Sequence, residues 1–343
     1  MIASGKFDGS VKILAHLDIL EDHRHGKLNP PRLVEIDLTN YCAHKCPLCV
    51  GGRTNMVKLP TDVAARVIHE LHQYGTRALV FTGGGEPTSH PHAVKLIQRA
   101  HSIGMECGLI THGTNIHDKP AMAGPLVHAC TWIRVSIDAA DPVTYMQTHA
   151  VDKFEDAWEA VKILADAAKA CPNPATIGVG YLLGEKTLAG MYNAAERARD
   201  AGANYIQFRP FVEEASTISA VRVAPIVDAC RRLERPGFSI GYLDHKYCGE
   251  RLHHRQYDTC HGAHFTTVIQ ADGHVALCCL YRGKPEMSGG SILERPFPEI
   301  WEGERMAELR RIDVHKCPPL CRHDTLNELV ETILQPKEHA NFL

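Results

Sequence analysis

Apolar and polar positions along this chain follow two rhythms that take turns. Short runs of strand character, Leu33-Val34-Glu35-Ile36-Asp37-Leu38, Ala78 to Thr82, Glu106 to Thr111, Trp132 to Ile137, Thr176 to Leu183 and Tyr205 to Arg209, alternate with segments whose apolar residues recur every three to four positions. The helical segments are Thr61 to Tyr74, Pro91 to Ser102, Phe154 to Ala170 and Leu188 to Ala201. Thr61-Asp62 and Ser89-His90-Pro91 read as helix starts, and Gly75, Gly104 and Gly202 as stops.

Strands alternating with helices predict parallel βαβ units, hence an α/β fold. Six such strands between about residues 32 and 212 suggest a partial (β/α)6 barrel with its chemistry at the C-terminal strand ends. A doubly wound sheet would give the same string, so periodicity leaves closure open. After Pro210 the character changes. A helix around Ala224 to Leu233 leads into a polar, histidine-rich stretch, then short strands around Asp272-Gly273 and a helix near Pro298 to Arg311. The expected organisation is an N-terminal arm (1–31), a barrel (32–212), a connecting helix and loop (213–255), and a small α+β domain ending in a C-terminal helix (256–343).

Composition narrows the class. A net charge of -3 with 44% hydrophobic residues fits neither a basic nucleic-acid binder nor a disordered chain. The uncharged stretch Pro120 to Ile133, 14 residues, is too short to span a membrane. Lys6, Asp8, Lys12, Asp18, Glu21 and Asp22 interrupt any secretory signal near the start, so a cytoplasmic protein is expected, with no membrane or nucleic-acid partner. In a reducing compartment, 13 cysteines point to metal binding or catalysis rather than disulfides.

Two cysteine groups stand out. Cys42-Ala-His-Lys-Cys46-Pro-Leu-Cys49 follows the first strand. Three thiolates would hold a four-iron cluster with one iron open, whereas a zinc site would want a fourth ligand such as His44; spacing alone leaves both readings standing. The second strand ends in Gly83-Gly84-Gly85-Glu86-Pro87, where glycines allow close backbone approach and Glu86 could accept hydrogen bonds from a ligand's ammonium.

Together these residues resemble the radical S-adenosylmethionine (radical SAM) superfamily, which pairs a CxxxCxxC loop after the first strand with a GGEP motif after the second. The resemblance implies that Cys42, Cys46 and Cys49 bind a [4Fe-4S] cluster and that Gly84, Gly85 and Glu86 hold the methionine amino group, beside Pro87. Leu48 stands where the family usually has an aromatic residue near the adenine. Ser136 and Asp138 of Arg-Val-Ser-Ile-Asp resemble the fourth-strand motif, in which the Ser contacts SAM. Thr111, His112 and Asn115 end the third strand, and Arg209 ends the sixth, where a guanidinium could pair with a carboxylate of SAM or substrate.

The second group, Cys260, Cys278 and Cys317-Pro-Pro-Leu-Cys321, surrounds a small hairpin. It resembles the C-terminal twitch domain, a shortened relative of the SPASM domain, and implies one auxiliary [4Fe-4S] cluster; structural zinc is the alternative. Cys279 is a possible substitute for Cys278. Cys107, Cys130, Cys171 and Cys230 read as small buried hydrophobes. Cys248, in a polar loop, is a candidate hydrogen-atom donor. His253, His254, His261 and His264 read as solvated or substrate-facing.

The resemblance implies reductive cleavage of SAM to a 5'-deoxyadenosyl radical that takes hydrogen from a small-molecule substrate, a sugar, aminocyclitol or nucleotide sugar, giving oxidation or epimerisation. Peptide modification is the second reading; with about 30 residues before the first strand no leader-peptide-binding domain is expected in this chain, but a separate partner could supply one. An electron donor such as flavodoxin or ferredoxin is the expected partner. A non-catalytic electron carrier or zinc-binding module is the reading from a different class, and it needs no Gly84 to Pro87 loop.

Overall fold

The computed structural model describes residues 10–51, 56–211, 218–242, 255, 257–318, 321–335 and 338. Among the described residues, ten strands form one sheet. The parallel strands are β1 (Leu33–Asp37), β2 (Ala78–Thr82), β3 (Glu106–Thr111), β4 (Trp132–Ser136), β5 (Thr176–Leu183), β6 (Tyr205–Pro210), β7 (Ser239–Tyr242) and β8 (Thr266–Ile269). β9 (His274–Ala276) and β10 (Ser288–Ser291) continue it antiparallel, in the order β10-β9-β8-β1-β2-β3-β4-β5-β6-β7. This is an α/β partial barrel with a parallel sheet, followed by a small part with antiparallel strands.

The helices are α1 (Leu17–Arg24), α2 (Thr61–Tyr74), α3 (Ala93–Ser102), α4 (Thr114–Asp118), α5 (Ala123–Ala129), α6 (Pro142–His149), α7 (Phe154–Lys169), α8 (Met191–Asp200), α9 (Ala220–Arg231), α10 (Phe297–Trp301), α11 (Glu304–Arg310) and α12 (Asp324–Leu334). α2 shows why they form. Ala64, Val67, Ile68 and Leu71 make one buried stripe, and Gly75, at φ +115°, ends the helix by turning its N–H back to Leu71 O.

Strand parity sorts the barrel into two faces. Val34 and Ile36 of β1 are fully buried in the apolar core shared with the helices, while Glu35 and Asp37 face the other way. Burying each of these aliphatic side chains contributes about 1.5–3 kcal/mol. An Ile36→Asp change would put an unpaired charge in that layer and break the β1 packing.

Two departures from the sequence expectation concern strands. β7 lies in the segment expected to be a connecting loop, because Ser239-Ile-Gly-Tyr242 has no apolar run and is recognisable only by its pairing with β6. β8, from the cysteine-rich C-terminal part, pairs in parallel with β1, so that part adds to the barrel's sheet. The arm is also less polar in place than in sequence. Ile13, Ile19 and Leu20 pack with Phe265, Leu326 and Val330.

Candidate functional site

The Cys42–Cys49 loop leaves the C-terminal end of β1 and is closed at its base. Thr39 and Lys58 form an antiparallel bridge, and Asn40 N–H and Leu59 N–H bond to Val57 O and Leu38 O. Inside it, Cys46 Sγ lies 3.3 Å from His149 Nδ1, while His149 Nε2 donates to Ile137 O at 2.8 Å. His44 stacks on His112 with ring centroids 3.9 Å apart, and meets Tyr145 and His149 edge-on. Burial, helped by its imidazole neighbours, pushes His44 down to about 2, so the ring is neutral.

The glycine loop presses directly against this loop. A Cβ at Gly84 would lie 2.4 Å from Asn40 Oδ1 and 2.7 Å from Gly51 O, and one at Gly85 would lie 2.3 Å from Tyr41 O. No side chain fits there, which is the physical reason for glycine at both positions. Glu86 N–H bonds to Tyr41 O at 2.8 Å and completes the seam.

The Glu86 carboxylate is held by donors of its own loop and of the end of β3. It is buried, with Oε1 accepting from Thr88 N–H (3.0 Å), Thr88 Oγ1 (2.6 Å) and Thr111 Oγ1 (2.7 Å), and Oε2 from His112 N–H (2.9 Å). Oε1 thus takes three donors and Oε2 one. The side chain braces the loop after β2 to the end of β3. Thr111 is consumed in the same brace and also accepts Gly113 N–H at 3.0 Å. Asn115 bonds to Thr88 and Ser89. Pro87 opens a 3-10 turn just beyond.

Leu48 lines a cavity of about 130 Å³ with Pro47, Gln147, Lys186 and Phe211. Ser136 stands opposite Gly180, and Arg209 opposite Leu182. On the same strand face as Ser136, Arg134 Nη1 donates to Gln207 Oε1 at 2.9 Å. Asp138, at φ +50° and buried, accepts Leu182 N–H at 2.6 Å; burial pushes its carboxyl up, opposed mainly by His149 and then by the Arg209 and Arg134 guanidinia.

The second cysteine group converges as well. Cys260, Cys278 and Cys321 are partly buried, and burial pushes each thiol up, with neighbouring thiols adding to the effect. Cys278 lies in the field of Cys279, Cys321 and Cys260, and Cys260 in that of Cys317. Each of three sulfurs has a donor nearby: Asn327 Nδ2 at 4.0 Å from Cys260, Tyr281 OH at 3.3 Å from Cys317 and His323 N–H at 3.4 Å from Cys321. Partly buried sulfurs with donors beside them fit an iron-sulfur cluster, whose iron would supply the missing positive charge. Arg255 braces the loop, donating to Val314 O (2.7 Å), Cys317 O (3.2 Å) and Pro318 O (2.6 Å) and pairing with Asp324.

Residues 36–204 match the radical SAM superfamily, and residues 260–323 match the SPASM iron-sulfur cluster-binding domain. The chain belongs to the radical SAM superfamily. As a radical SAM protein with a SPASM domain, it implies SAM and iron-sulfur clusters as its cofactors. It is 28% identical to the mycofactocin maturase MftC of Mycobacterium ulcerans (strain Agy99) over 188 residues, which is 52% of this chain and 49% of that protein. It is 25% identical to an S-adenosylmethionine-dependent nucleotide dehydratase of Flammeovirga pacifica over 118 residues, 32% and 40% of the two chains. The match thus spans half or less of each relative's length. In fold it is similar to SuiB of Streptococcus suis bound to S-adenosylmethionine, with a TM-score of 0.67 at 12% identity over 87% of this chain and 72% of that one.

Several residues were not visible in the sequence as part of the site. His149 and Tyr145 reach the cysteine loop from α6, over 100 positions away from Cys46 in the case of His149. His261 and His264, read as solvated or substrate-facing, instead pack against His23, and His261 also pairs with Glu331. Cys107, Cys130 and Cys230 are buried as expected, whereas Cys171 is only partly so. His44, Cys46 and His149 place their ligand atoms within 4.8 Å of one another, which gives the zinc alternative a geometry of its own. Cys248, His253 and His254 lie outside the described residues. Among the described residues no helix is long and apolar enough to cross a membrane.

Proposed function

We propose that this protein is a radical SAM oxidoreductase with two [4Fe-4S] clusters, one on Cys42, Cys46 and Cys49 and one on Cys260, Cys278, Cys317 and Cys321. The carrying observation is the seam between the cysteine loop and the glycine loop, where Gly51, Gly84 and Gly85 let two backbones meet at the mouth of the barrel. An electron carrier or a zinc module has no use for that arrangement. Held by Cys42, Cys46 and Cys49 and by the glycine loop, the first cluster and SAM would supply hydrogen-atom abstraction once reduced by a flavodoxin or ferredoxin, and a cluster on Cys260, Cys278, Cys317 and Cys321 would accept an electron.

The chain's own residues set the rest. The backbone of Gly84, Gly85 and Glu86 presents polar groups to the SAM amino end, Leu48 and Phe211 offer an apolar wall for adenine, and Ser136 and Arg209 lie across the mouth for ribose and carboxylate. Deeper in the barrel the Trp132 ring covers Gly108 and the Tyr205 ring covers Gly178, where Cβ atoms would lie 2.3 and 2.0 Å from them. Arg134 stands above this aromatic floor beside Gln207. A cationic wall over aromatic rings suits a small polyhydroxylated substrate that carries a negative group, such as a nucleotide sugar. Loss of a hydrogen atom, then of a proton and one electron, oxidises that substrate by two electrons.

A second reading, modification of a peptide, is favoured by the likeness to a mycofactocin maturase. Epimerisation with Cys248 as hydrogen donor is a third outcome for the same radical. The test is 5'-deoxyadenosine formed from SAM and dithionite by anaerobically reconstituted protein. Formation that nucleotide sugars accelerate, with an oxidised product, supports the proposal; acceleration by peptides alone moves it to the second reading. No deoxyadenosine from loaded protein rejects both.

A further inference from the structure

Behind the glycine loop lies a buried group of charges that joins the two cysteine sets. Arg282 follows Cys278 and Cys279 by a short 3-10 turn and reaches into the barrel. Its Nε donates to Asp37 Oδ2 at 2.9 Å and its Nη2 to Asp37 Oδ1 at 3.2 Å, while Nη2 also contacts Glu35. Gly283 N–H donates to Gln270 Oε1 at 2.6 Å and fixes the base of that arm. Glu35 also pairs with Arg322, the residue after Cys321, whose Nη1 lies 3.9 Å from Cys279 Sγ.

Asp37 is the end of β1 and carries the other half of the connection. It accepts the backbone N–H of Gly84, and a Cβ at Gly83, where φ is +156°, would lie 3.2 Å from its carboxylate carbon. The side chains of Asp37 and Arg282 are 1% and 8% exposed, so neither can exchange its partner for water. Buried charges hold their geometry only while each partner stays in place. The Asp37 carboxylate is therefore fixed by Arg282, and the Gly83-Gly84 turn is fixed by Asp37.

We propose that Arg282 is a positioning residue that couples the second cysteine set to the SAM-binding glycine loop through Asp37. The coupling rests on the two-cluster reading above. Filling the Cys260, Cys278, Cys317 and Cys321 site orders the segment that bears Arg282, and that order reaches Gly84 in two contacts. Loss of the second cluster then weakens SAM binding although no cysteine of that cluster touches SAM. Both sites bias one packed element, which is the physical basis for coupling at a distance.

The experiment is a cycle of four proteins: wild type, Arg282→Lys, Cys317→Ala/Cys321→Ala, and the three changes together. SAM affinity is measured by equilibrium binding, with iron content and the reduced first-cluster EPR signal with and without SAM. Removing the second cluster is expected to weaken SAM binding about fivefold or more in the wild-type background and less than about twofold in the Arg282→Lys background. The SAM-induced change in the EPR signal should be reduced in Arg282→Lys while first-cluster iron is retained. Equal effects of cluster loss in both backgrounds would overturn the coupling.

Asp37→Asn is the second variant and keeps the volume at the junction. It should reproduce the Arg282→Lys pattern, and wild-type SAM affinity in Asp37→Asn would overturn the proposal even if Arg282→Lys fails to fold. Wild-type protein that takes up no iron, or binds no SAM, would instead reject the function itself.

Discussion

Thr111 Oγ1 at the end of β3 donates to Glu86 Oε1 in the loop after β2 across 2.7 Å, inside the protein. The acidic residue of the glycine motif is thus a brace between that loop and β3. Thr111→Val removes one donor while keeping shape and should lower stability by about 1–2 kcal/mol. Glu86→Gln sets an amide NH2 against at least the His112 N–H and should cost more, about 2–3 kcal/mol. Urea midpoints of the loaded proteins check both, and equal midpoints for Glu86→Gln and wild type would refute the brace.

Gly85→Ala should abolish loading of the first cluster, because its Cβ would enter backbone atoms of Tyr41 and Asn40 that cannot move alone. Gly124→Ala is the control. It lies in α5 with nothing within 4 Å of the added carbon, so it should be neutral or stabilising by up to about 1 kcal/mol. Iron per chain and the thermal midpoint separate the two.

Arg255 holds the Cys317 segment by three carbonyls at once. Lysine cannot reproduce that fork. Arg255→Lys should lower total iron towards half while leaving deoxyadenosine formation at saturating SAM with dithionite. Full iron in this variant would show that the segment is held by the cysteines alone.

The arm adds a pH dependence. Burial, with His261 nearby, pushes His23 from 6.5 down to about 4, and burial pushes His264 down to about 3. Between pH about 4 and 6.5 the unfolded chain binds protons at these rings and the folded protein does not, so stability rises with pH across that window. The contribution is complete above pH 6.5 and is lost as pH falls towards 4. His23→Phe should flatten this loss, seen as a smaller difference between urea midpoints at pH 7 and pH 5; an unchanged difference would assign the acid sensitivity elsewhere.

Much of this protein is readable from local sequence because its chemistry sits in short motifs at strand ends. Cys42 to Cys49 and Gly83 to Pro87 each need only neighbouring residues to be recognised. Helices α2 and α7 follow from their periodicity. Other features depend on distant partners. Arg282 and Asp37 are 245 positions apart, and neither segment has a pattern of its own. β7 and β8 are four-residue strands that exist through pairing with β6 and β1. The brace on the Glu86 carboxylate was not legible because its donors, Thr88, Thr111 and His112, come together only when β2 and β3 are aligned. His149 escaped notice for the same reason.

The most direct test is iron and acid-labile sulfide per chain, with EPR of the reduced protein, in the wild type and in two variants assembled without oxygen: Cys42→Ala/Cys46→Ala/Cys49→Ala and Cys260→Ala/Cys278→Ala/Cys317→Ala/Cys321→Ala. The account predicts about eight irons in the wild type and about four in each variant, with the SAM-sensitive EPR signal lost only in the first. About four irons in the wild type, all of them lost with one cysteine set and none with the other, would contradict it.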